Sequence, residues 1–197
     1  NFTRRALEGL IKSGALDSVQ QNRRMMIYNI DNVLSVIDAE KRFAGDGQLD
    51  LFGQSGEKSE LELKFIEEMP RSEKLALEKQ ATGMYLSGHP VADYEAYAKG
   101  GAFVPIIDIV NKKYRDGKRV QVLGILDEFT VKQLKNGTVM AYSSVEDTRA
   151  SISLTVFSGA YSAYRQYLAA GNIVIIRGKV SEREDRDTEL IVENVEP

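Results

Sequence analysis

Apolar positions along this chain change period twice. Residues 3–13 place Ala6, Leu7, Leu10 and Ile11 on one helical face, with Thr3 as the cap and Ser13-Gly14 as the stop. A second helix is predicted from an Asn22 cap to about Phe43, because Met26, Ile30, Val33, Leu34 and Ile37 keep helical spacing. Helical character is also expected over Leu61–Met69 and over 71–86, with Gly88 and Pro90 as the stop, and then over 91–99. From about Lys118 the pattern turns to strands. Val120–Leu126 is β-branched and apolar, Asn136-Gly137 is a hairpin signal, and Val139–Glu146 follows. Ile152, Leu154 and Val156 alternate with Ser151, Ser153 and Thr155. A helix over 160–169, strands over 172–180 and 190–195, and a charged tip at 182–187 complete the pattern.

Three strands, a helix and two strands in about 80 residues is the order of an oligonucleotide/oligosaccharide-binding (OB) barrel. Gly124 fits a long first strand that must bend sharply. The expected fold class is α+β, a helical region followed by a five-stranded OB-fold β-barrel. Its parts are 1–43, a helical region; 44–60, a flexible loop; 61–117, a helical connector; and 118–197, the barrel.

The loop carries the least ordinary residues. Gln48-Leu49-Asp50-Leu51-Phe52 stands between Gly45, Gly47, Gly53 and Gly56. Leu49, Leu51 and Phe52 on a polar tether suit a peptide that docks in a partner's pocket, with Gln48 fixing register at the rim. The same three side chains would equally fold back on their own core as a short strand.

With 197 residues and 43% hydrophobic content, the chain can bury a real core. It has no apolar run long enough to cross a bilayer and no cysteine, which excludes disulfides and thiolate metal sites and agrees with a reducing cytoplasm. It opens on Asn1 and reads as a piece of a longer polypeptide. Net charge is −3. Residues 1–43 hold seven Lys/Arg against five Asp/Glu, 44–117 nine against thirteen, and 118–197 ten against eleven. Nucleic-acid contact must therefore come from local clustering. Arg4, Arg5, Arg23 and Arg24 are open to phosphate contact or to a solvated polar face.

On the barrel, the candidates for a basic groove with stacking platforms are Phe129, Lys132, Lys135, Tyr142, Arg149, Arg177 and Lys179. Phe129 is equally open to burial, and Tyr142 to being a plain strand residue. His89, the one histidine, reads as structural, bonded to the last helical carbonyls. Asp185-Arg186-Asp187 reads as a solvated tip, and Asp127-Glu128 and Glu146-Asp147 as caps of strand ends. No catalytic constellation stands out.

Three stretches carry a family resemblance. They are Leu7–Ser18, Glu73–Pro90 with its ending Tyr85-Leu86-Ser87-Gly88-His89-Pro90, and the loop string between them. In this order, followed by the barrel, they resemble the carboxy-terminal part of bacterial DNA polymerase III alpha subunits, the C-family replicative polymerases. The resemblance implies that residues 1–43 end a helix-hairpin-helix-type region beside duplex DNA. It implies that Gln48, Leu49, Asp50, Leu51 and Phe52 bind the sliding clamp (the beta subunit), and that the barrel lies near single-stranded template. It implies a cytoplasmic, nucleoid-associated replication protein with other replisome partners. The parent chain would be a DNA-directed DNA polymerase, a nucleotidyltransferase, whose divalent metal, magnesium by expectation, sits in a catalytic domain absent here. No cofactor is expected within these residues. The chain departs from the family at Glu146-Asp147-Thr148-Arg149-Ala150, where a glycine is usual. Either the turn is looser or Arg149 faces a phosphate. The alternative function is a stand-alone OB-fold nucleic-acid-binding module with a helical adaptor domain.

Overall fold

The Thr3 hydroxyl accepts a hydrogen bond from the Ala6 amide at 3.2 Å and starts helix α1, Arg4–Lys12. The computed structural model describes residues 3–45, 61–100, 103–134, 137–183 and 186–197. The chain divides into two units, Asn1–Ser87 and Gly88–Pro197.

In the first unit Asn22 caps α2, Arg23–Tyr28, through a 2.9 Å bond from the Met25 amide. The single helix predicted from Asn22 to Phe43 is broken. Asn29 leaves helical geometry, and α3 spans Ile30–Gly45. The break has a purpose visible in its bonds. The Asn29 amide donates to the Lys64 carbonyl and accepts from the Lys64 N–H, both at 2.9 Å. Asn22 donates to the Ile66 carbonyl at 2.7 Å. These bonds explain why residues 61–69 are not helical, contrary to expectation. Their main-chain groups are satisfied by asparagine side chains, and Pro70 disfavours helical geometry at Met69. The Glu68 carboxylate takes the amides of Arg23 and Arg24 at 3.1 and 3.2 Å, adding negative charge at the start of α2.

Helix α4 spans Arg71–Thr82 and ends at Gly83, whose φ of 83° is the left-handed cap. It stops four residues before the predicted end. Ile11, Met25, Ile30, Met69 and Leu75 are buried in this unit. At its centre Arg23 and Glu78 are paired, with 3% and 0% exposure.

In the second unit His89 caps a 3₁₀ turn, Pro90–Tyr94, by accepting the Val91 amide on Nδ1 at 3.2 Å. Its ring thus serves the turn that follows, whereas a bond to preceding helical carbonyls was expected. Helix α5, Glu95–Gly100, comes next. Helix α6, Ile106–Val110, was not foreseen; its Ile106 and Ile109 are fully buried.

Among the described residues the sheet has six strands: β1 Arg119–Leu126, β2 Thr130–Gln133, β3 Val139–Glu146, β4 Ser151–Val156, β5 Ile173–Arg183 and β6 Arg186–Glu196. Helix α7, Ser158–Tyr164, lies between β4 and β5. The strand order is β1-β5-β6-β4-β3-β2, and β1 also pairs with β3, so the order returns to its start. Among the described residues β4–β6 is the one parallel pairing. Five strands were expected; the sixth, β2, pairs with the start of β3 from Thr130↔Tyr142 to Gln133↔Val139. Gly124 allows β1 to serve both β5 and β3. A Cβ there would collide with Val145 and lie 2.7 Å from the Glu146 carbonyl oxygen. The interior is aliphatic, including Val122, Val145, Leu154, Ile176 and Leu190.

Candidate nucleic-acid interface

Period-two alternation turns Ala141 and Val145 inward and leaves Met140, Tyr142 and Ser144 on the outer face of β3. Register then aligns neighbours across strands. Thr130 and Thr155 flank Tyr142, Lys132 faces Met140, and Ser153 faces Ser144. The Lys132 ammonium lies 5.3 Å from the centroid of the Tyr142 ring, a cation–π distance. Asp127, Glu128, Thr130, Tyr142, Ser143 and Ser144 line an open hollow of about 420 Å³. This face therefore offers hydroxyls, one aromatic platform and one lysine. Carboxylates border it, among them Glu189, which accepts from the Thr155 hydroxyl at 2.6 Å.

The remaining candidates do not join this group. Phe129 is half-buried and packs on the core. Lys135 and the whole string Gln48, Leu49, Asp50, Leu51 and Phe52 lie outside the described residues. Arg149 is in the β3–β4 turn, beside a hollow of about 240 Å³ that Lys99 and Phe103 also line. That turn closes tightly without the glycine. Asp147 Oδ1 takes the Arg149 and Ala150 amides at 2.8 and 2.9 Å, and the Asp147 amide bonds the Ala150 carbonyl at 2.9 Å. Asp147 Oδ2 also accepts the Ile106 amide at 2.8 Å, so one carboxylate holds both the turn and the start of α6.

Arg177 and Lys179 share the outer face of β5 with their partners Gln121 and Arg119 on β1. Arg177 donates to Gln121 at 2.7 Å and pairs with Glu196 at 2.8 Å. Arg119 pairs with Glu193 at 2.9 Å. In the helical unit Arg23 is sequestered by Asp17 and Glu78, and the neighbouring Arg24 pairs with Glu73 at 2.7 Å. Phosphate contact by Arg23 is thereby excluded, since its charge is already buried and matched.

One signal was overlooked in the sequence. Five of the eight residues 112–119 are basic: Lys112, Lys113, Arg115, Lys118 and Arg119. Folding sets this run beside Lys179, whose side chain lies over Gly117. Among the described residues no group of three or more His, Cys, Asp or Glu could hold a metal ion, and no helix is long and apolar enough to cross a membrane.

The strand order and this exposed face define an OB-fold domain, and residues 128–197 match the family of OB-fold nucleic acid binding domains. The whole chain is a relative of DNA polymerase III alpha subunits. It is 32% identical over 98% of its length to that of Borreliella burgdorferi, and 28% identical over 92% to that of Saccharopolyspora erythraea. It spans 17% and 16% of those relatives, about one sixth of their length. Among solved structures it is similar to the single-stranded-DNA-binding (SSB) domain of a Synechococcus protein, at TM-score 0.36 and 14% identity, covering 43% of this chain and 97% of that one. It is also similar to the mitochondrial single-stranded DNA binding protein Rim1 of S. cerevisiae, at TM-score 0.36 and 17% identity, covering 42% and 94%.

Proposed function

We propose that this chain is a non-catalytic region of a bacterial replicative DNA polymerase. It tethers the enzyme to the sliding clamp and guides single-stranded template. The observation that carries this reading is the similarity to DNA polymerase III alpha subunits along nearly the whole chain. The glycine-flanked string Gln48–Phe52 supports the tether, because it combines three apolar anchors with a polar rim residue. Tethering acts through effective concentration, about millimolar for a short flexible linker, so a weak peptide contact suffices to hold the enzyme near DNA. Nucleotidyl transfer would belong to the parent polypeptide, with its metal ions elsewhere.

Support for template contact comes from the outer face of β2, β3 and β4. Tyr142 offers a stacking surface, and Thr130, Ser144 and Ser153 offer hydroxyls. The experiment measures the 197-residue chain against a bacterial sliding clamp and, separately, against single-stranded DNA. Clamp binding supports the tether. Single-strand binding with no clamp binding instead favours the stand-alone OB module with a helical adaptor.

A further inference from the structure

We infer that the outer face of β1 and β5, together with the loop that precedes β1, is a phosphate-backbone track for single-stranded nucleic acid, separate from the Tyr142 face. The inference rests on the nucleic-acid-binding reading of the OB domain and adds where the phosphates lie.

The two faces differ in charge. Around Tyr142, Lys132 lies over the ring, Asp127 and Glu128 line the hollow, and Glu189 holds the neighbouring Thr155. A polyanion gains little there. On the other face the antiparallel register sets Arg119 beside Lys179 and Gln121 beside Arg177. Two residues along one strand advance about 6.7 Å, so Arg177 and Lys179 form a row of charge along β5. The loop adds Arg115 and Lys118, both exposed. Tyr114, Lys118, Arg119 and Arg177 line one shallow depression of about 340 Å³.

Carboxylates are present here too, but their pairs are exposed. Arg119 is 79% exposed in its pair with Glu193, and Arg177 is 50% exposed in its pair with Glu196. Exposed pairs contribute at most about 1 kcal/mol, so phosphate can replace carboxylate at small cost. Arg115, Lys118 and Lys179 make no ion pair among the described residues. Three guanidinium forks (Arg115, Arg119 and Arg177) beside two ammonium groups (Lys118 and Lys179) suit phosphodiester oxygens and carry no base preference.

The test titrates the full 197-residue chain with fluorescent oligo-dT over a range of salt. The triple variant Arg115→Glu, Lys118→Glu, Lys179→Glu is compared with the milder Lys118→Gln, Lys179→Gln. Folding is checked by circular dichroism. The expected result is weaker binding in both variants and a salt slope shallower by about 2 in the triple variant, since each lost phosphate contact removes about 0.7 for a single strand. Tyr142→Ala should weaken binding without changing the slope. If the parent chain binds oligo-dT and the folded variants keep its affinity and slope, the track is wrong while the broader reading survives. If the parent chain binds no oligo-dT even at low salt, both fall. Competition by polyglutamate as strong as by oligo-dT would make the face a site for acidic protein and overturn the assignment.

Discussion

Arg23 reaches across the helical unit to Glu78, with its Nη2 2.9 Å from Oε1, and both side chains are almost wholly buried. Glu78 also accepts the amides of Leu86 and Ser87 at 3.0 and 2.9 Å. Arg23 also forks onto Asp17 at 2.8 and 2.6 Å. The pair thus fastens α2, α4 and the segment that leaves α4 to one another. Glu78→Leu leaves a buried guanidinium without one of its partners and should cost about 3–5 kcal/mol. The double variant Arg23→Met, Glu78→Leu should cost less than the two single losses together. Urea denaturation of the four proteins checks this; strict additivity would show that the pair is not coupled.

Glu68 makes the helical unit sensitive to acid. Burial pushes its carboxyl up, but Lys74 and the amides of Met69, Arg24 and Arg23 outweigh this and hold it at about 2. A carboxylate depressed in the folded state contributes stability above its unfolded value and loses it as pH falls through the folded one. The contribution should be complete above about pH 4.5 and fade towards pH 2. Thermal melts across that window should show Glu68→Gln, destabilised by about 1–3 kcal/mol at pH 7, converging on the parent protein near pH 2. A constant difference at all pH values would contradict the assignment.

Gly124→Ala should destabilise the OB domain by about 1–3 kcal/mol, because the added methyl meets Val145 and the Glu146 carbonyl. The melting temperature of the chain reads this. An unchanged value would mean that the β1–β3 pairing is not formed in solution.

Tyr142→Ala should weaken oligo-dT binding by about 1–3 kcal/mol, the usual worth of one stacking platform. Tyr142→Phe should retain most of the affinity, since the ring and not the hydroxyl does the stacking. Fluorescence anisotropy at fixed salt distinguishes the two. Equal loss in both variants would instead point to a hydrogen-bonding role.

Much of this architecture was legible in local chemistry. Thr3 and Asn22 cap as their residue types predict, and the OB order was legible in the strand period. What escaped was set by distant partners. Asn29 breaks a continuous helical pattern because it pairs with the Lys64 main chain 35 residues away. Gly83 ends α4 ahead of the stronger-looking Gly88-Xaa-Pro90 signal. Strand β2 is short and fully exposed, so it has no alternation to read. Helix α6 is only five residues long, and its start is held by Asp147, 41 positions along. The candidate cations scattered for a related reason: alternation tells which side of a strand a residue faces, but not which strands become neighbours.

Whether the Gln48–Phe52 string binds a sliding clamp is read by calorimetric titration of the chain with a bacterial clamp. The parent chain should bind saturably. The double variant Leu51→Ala, Phe52→Ala should lose that binding, with the circular dichroism spectrum and oligo-dT affinity unchanged. Equal clamp affinity in the parent and the double variant would contradict the tether.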